Sequence, residues 1–74
     1  MNINEVYYFK SEFEYGLNRY GSVSVNVRQN SVDGPAHFEV RVRLNSSSYR
    51  DDCRDKFYDI KSELPSDGSA SLYF

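Results

Sequence analysis

Residues 49–64, YRDDCRDKFYDIKSEL, decide the architecture of this chain. A helix advances about 100° per residue. At that pitch Tyr49, Cys53, Phe57, Ile60 and Leu64 fall within an arc of roughly 80°, an apolar stripe suited to packing on a sheet. Arg50, Arg54 and Lys61 form a narrow band beside one edge of the stripe. Asp51, Asp52, Asp55, Asp59 and Glu63 fill the other flank, and Asp51, Asp55, Asp59 and Glu63 follow one another at i, i+4. The expected helix therefore sorts its residues by charge sign as well as by polarity. Asn45-Ser46-Ser47-Ser48 offers N-caps, and Ser48 with Asp51 resembles a capping box in an aspartate variant. Asp51 and Asp52 also suit the positive end of the helix dipole. Pro65 stops the helix, and Ser66-Asp67-Gly68 turns the chain.

Upstream, three runs alternate with period two. Between Glu5 and Tyr15, that period places Tyr7, Phe9, Phe13 and Tyr15 on one face and Tyr8, Lys10, Glu12 and Glu14 on the other. Gly16 to Gly21 reads as a hairpin connection. From Ser22 to Gln29, Val23, Val25 and Val27 point inward. Asn30 to Pro35 is a turn by composition, with Asp33-Gly34 as a hairpin signal. From Ala36 to Leu44, Ala36, Phe38, Val40, Val42 and Leu44 oppose His37, Glu39, Arg41 and Arg43. After the helix, Ser69 to Phe74 alternates weakly and reads as a fourth strand. The expected fold is α+β with two layers: an antiparallel β-sheet of three to four strands in the order β-β-β-α-β, covered on one face by a single amphipathic helix. A fourth strand returning beside the first through a right-handed crossover gives strand order 4-1-2-3.

Seventy-four residues make one domain. A chain this short hides only about 60% of its unfolded surface, so its stability is expected to be a few kcal/mol. Seven Tyr and five Phe supply large apolar area from few residues. No apolar run approaches the roughly 20 residues of a membrane span. The first residues show neither a basic region nor an apolar stretch of signal-peptide type. A single cysteine forms no internal disulfide and fits a reducing, cytoplasmic setting. Net charge is −2 but uneven: residues 51–74 carry three basic and six acidic groups. An acidic chain is a poor default nucleic-acid binder, because affinity for phosphate comes from Lys and Arg.

No residue set spells a reaction. Cys53 lies in the apolar stripe and reads as a small buried hydrophobe. His37, alone and on an outward face, lacks partners at metal-ligand spacing. Glu12 and Glu14 read as a solvated strand face opposite Arg28 or Arg41. No catalytic residue, metal or cofactor is expected.

Two surfaces remain. Asp51, Asp55, Asp59 and Glu63 form a ridge of carboxylates at about 6 Å steps, resembling phosphates along a nucleic-acid backbone. With the neighbouring Tyr58, the ridge suits a basic surface on a partner protein. The outer sheet face, with Tyr8, Lys10, Arg28, Arg41 and Arg43, suits single-stranded RNA or DNA. Glu12, Glu14 and Glu39 weaken that second surface. Compact acidic domains without catalytic sets are typical of inhibitors carried by phages and mobile elements, anti-CRISPR proteins among them, and of immunity proteins. The comparison is one of architecture and charge. The expected protein is therefore a non-enzymatic, inhibitory binding module, either a monomer or a homodimer through an edge strand.

Overall fold

The computed structural model describes residues 1–74. It is an α+β fold of two layers, a three-stranded mixed sheet with two helices on one face. The elements are α1 (Ile3–Leu17), β1 (Gly21–Gln29), β2 (Ala36–Leu44), a 3-10 turn (Ser47–Tyr49), α2 (Arg50–Ser62) and β3 (Gly68–Tyr73). Strand order is β1-β2-β3.

The first run is a helix, which corrects the expected strand. Two periods compete there and share only Phe9 and Phe13. The period of two needs Tyr7 and Tyr15 buried, and these are 62% and 75% exposed. The helical period selects Val6, Phe9, Phe13 and Leu17, all buried. A complete capping box starts the helix. Asn2 Oδ1 accepts from the Glu5 amide at 2.9 Å, and Glu5 Oε1 accepts from the Asn2 amide at 3.1 Å. Gly16, expected to open a hairpin, lies in the last turn of α1 against α2. A Cβ there would come within 2.8 Å of Ile60 Cδ1, so glycine permits the close helix approach. The sheet is thus covered by two helices and not one.

The two central runs are strands, as their alternation requires. β1 and β2 pair antiparallel, matching Val23 with Val42, Val25 with Val40 and Val27 with Phe38. Their connection closes with Gly34 N donating to Ser31 O at 3.0 Å, and Asp33 adopts a positive φ of 61°. Asp is among the non-glycine residues that tolerate this left-handed region. The Met1 ammonium donates to the Gly34 carbonyl at 2.8 Å and to the Asp67 carboxylate, fastening this turn to the start of β3.

The fourth expected strand exists as β3. It lies parallel to β2, pairing Phe38 with Ala70 and Val40 with Leu72. With no strand in the first run, the place reserved beside it does not exist. β3 takes the open edge of β2, so the sheet is mixed and the 4-1-2-3 order is not formed. The start of α2 also differs. Ser46, not Ser48, acts as a cap, accepting from the Ser48 amide at 3.3 Å ahead of the 3-10 turn. α2 itself has no side-chain cap.

Aromatic rings join the layers. Phe13 of α1 lies 5.6 Å from Phe38 of β2 and 5.5 Å from Phe57 of α2, centroid to centroid. Phe9 adds an edge contact to Phe38 at 6.5 Å. Cys53 and Ile60 complete the buried stripe of α2, while Leu64 is half-buried and Tyr49 exposed.

Phe13→Ala removes a ring that is 0% exposed. A loss of about 3–5 kcal/mol is expected, enough to leave a domain of this size largely unfolded in urea titrations followed by far-UV circular dichroism. Tyr15→Ala should change stability by less than about 0.5 kcal/mol. Equal damage from both would contradict the helical face.

Candidate functional site

The obvious chemical groups lie apart. Cys53 is buried under α2, and that burial pushes its thiol above the ordinary value, disfavouring the nucleophilic thiolate. His37 sits on the outward face of β2, where its ring nitrogens lie 2.7 Å from Ser69 Oγ and 3.2 Å from Ser71 Oγ. The sheet separates His37 from Cys53. No group of three or more His, Cys, Asp or Glu side chains is arranged to hold a metal ion. No helix is long and apolar enough to cross a membrane.

The acidic ridge of α2 is divided by its surroundings. Asp51 accepts a hydrogen bond from Arg54 at 2.8 Å, which neutralises one end. Asp55, Asp59 and Glu63 have no ion-pair partner. Glu12 joins them from α1, where a shallow concavity brings together Tyr8, Glu12, Lys56, Asp59 and Glu63. The expected strand puts Glu12 on the sheet, whereas the helix turns it toward α2. Glu14 instead pairs with Lys10 at 4.0 Å along α1. Tyr58, expected between the acidic and basic bands, lies on the basic side of α2. Its ring lies 5.8 Å from the Lys61 ammonium, in a hollow shared with Arg50, Arg54 and Phe74.

The outer sheet face changes membership too. Tyr8 and Lys10 belong to α1 and lie on the helical layer, away from this face. Arg28, Arg41 and Arg43 remain on it. Arg28 is held by Glu39 at 2.7 Å, the cross-strand pairing expected of a wet face. Arg41 and Arg43 have no ion-pair partner. The aromatic residue on this face is Tyr73 of β3, paired in register with Arg41, whose guanidinium lies 4.9 Å from the ring centroid. Tyr73 is absent from the sequence-derived set, because a β3 at the far edge of the sheet would keep it away from Arg41. The weak alternation of residues 69–74 puts Tyr73 opposite Leu72 and was the available signal.

No family model, curated protein or solved structure matches this chain. The functional argument therefore rests on the surfaces themselves.

The Tyr8 phenol is raised above its ordinary value. The nearby Glu12 carboxylate, which favours the protonated phenol, contributes most, followed by smaller effects that include the charge of Glu63. A phenol raised by folding contributes stability that is complete below its unfolded value near 10 and is lost as pH rises through the folded value. Glu12→Gln should lower the Tyr8 titration toward the ordinary range, read from tyrosine ring shifts in pH-titrated NMR spectra. An unchanged Tyr8 midpoint would place Glu12 outside the cluster.

Proposed function

We propose that the protein is a small non-enzymatic binding module that seats its acidic helical surface on a basic surface of a partner protein. The observation carrying this reading is that Asp55, Asp59 and Glu63 have no ion-pair partner and are joined by Glu12 from the neighbouring helix. Like charges at i, i+4 destabilise a helix by a few tenths of a kcal/mol per pair. A row of them without ion-pair partners therefore costs stability in the free protein. A cationic partner would convert that cost into attraction and accelerate encounter.

The carboxylate spacing along α2 approximates that of backbone phosphates, so a nucleic-acid-binding groove is the partner surface it fits best. Occupying such a groove would inhibit the partner by steric exclusion and charge. This is the mode expected of a counter-defence protein of the anti-CRISPR kind or of an immunity protein, acting in a reducing cytoplasm. Glu12 and Tyr8 replace Tyr58 in the contact set, since Tyr58 faces the basic flank of α2.

The test compares wild type with a folded Asp55→Lys/Asp59→Lys variant in affinity capture from native host or infected lysate, followed by binding kinetics with whatever protein is captured. A partner retained by wild type and lost by the variant is expected, with an association rate that falls at least tenfold between low and high salt. The same proteins captured by both forms would exclude the ridge as the contact. Co-purification of nucleic acid with both forms and no protein would exclude the reading altogether.

A further inference from the structure

We propose that the edge of the molecule around β3 is a second binding site, a track for single-stranded nucleic acid. It is built from Arg41, Arg43, Arg50, Lys61, Tyr73 and Phe74. This inference is independent of the acidic helical surface, which lies on the other flank of α2.

Tertiary structure gathers these residues from two elements, β2 and α2, and the C-terminal end of β3. A concavity of about 340 Å³ on the sheet side is lined by Arg41, Arg43, Tyr73, Phe74 and by Ser22 and Ser24 of β1. A second hollow on the helix side includes Arg50, Lys61, Tyr58 and again Phe74. Phe74 is common to both, so the two hollows meet around the end of β3. Cation–π contacts run along the join. Arg41 lies 4.9 Å from the Tyr73 centroid, Arg50 lies 5.1 Å from that of Phe74, and Lys61 lies 5.8 Å from that of Tyr58.

No acidic side chain lines either hollow. Glu39 is occupied by Arg28 and Asp51 by Arg54. Arg41, Arg43, Arg50 and Lys61 have no ion-pair partner, so four cations stand available to phosphates. Tyr73 and Phe74 are 43% and 47% exposed, and Tyr58 is 55% exposed. Exposed rings beside uncompensated cations are the two components of single-strand recognition: stacking platforms for unpaired bases and charge for the backbone. The Arg41 guanidinium, parked on Tyr73, offers a further plane on which a base can stack. A duplex keeps its base faces internal and would leave the rings unused. An acidic peptide would use the cations and leave the rings without a role.

Fluorescence anisotropy with a labelled oligouridylate of about a dozen nucleotides tests the site. Saturable binding is expected at low salt, with log affinity against log salt falling at a slope of roughly −3 for four phosphate contacts. Arg41→Gln/Arg43→Gln should lose at least tenfold in affinity and about half the slope. Tyr73→Ala should lose about tenfold with the slope unchanged, and Tyr73→Phe should bind normally, separating stacking from any loss of fold. Asp55→Lys/Asp59→Lys should bind as well as wild type or better. Absence of saturable binding would overturn the proposal. So would equal affinity for a duplex of the same length, displacement by polyglutamate at matched charge, or indifference to the Arg41, Arg43 and Tyr73 replacements.

Discussion

The contact of Phe13 with both Phe38 and Phe57 is the constraint from which the rest of the arrangement follows, because it ties α1, β2 and α2 at one point. A three-stranded sheet in a chain this short has one apolar face to hide, and a single helix leaves part of it wet. α1 and α2 share that task, with Gly16 allowing them to lie close enough together. The half-buried Val23, Val25 and Val27 on β1 show that this cover thins toward the β1 edge. Large aromatic side chains suit such a core, since each hides much area at low cost in chain length.

Once both helices are on one face, electrostatics is sorted by α2. Its inward stripe is fixed by Cys53, Phe57 and Ile60, so its two flanks have no freedom to exchange. The acidic flank turns toward α1 and meets Glu12 and Tyr8. The basic flank, with Tyr58, turns toward β3 and meets Leu72 and Phe74. A chain of net charge −2 thereby presents an acidic region and a basic, aromatic one on either side of a single helix. Internal ion pairs sharpen the separation: Arg28 with Glu39 and Arg54 with Asp51 remove charges that would otherwise blur it.

Sequence and structure part company where two periodicities coexist. Phe9 and Phe13 satisfy both a period of two and a period of 3.6, so the burial pattern between Glu5 and Tyr15 was ambiguous by itself. The Asn2–Glu5 capping box lay just outside the window that looked strand-like, and it favours the helix. A strand in that run would carry Glu12, Tyr8 and Lys10 onto the sheet and leave β3 at the other edge. Each misplacement follows from that one choice.

The sequence by itself determined β1, β2, α2, the Asp33-Gly34 turn and the polarity of every residue along them. In those segments a single period accounts for the burial of all the apolar side chains. It also determined the row Asp55, Asp59 and Glu63, because neighbours at i, i+4 on a helix are fixed by local geometry. Only the tertiary structure decided which surfaces form from these parts. Glu12 beside Asp59, Arg41 against Tyr73 and Arg50 over Phe74 are pairs distant in the chain. Their proximity depends on which strand edge and which helix flank each meets, and that choice is made by packing of the core.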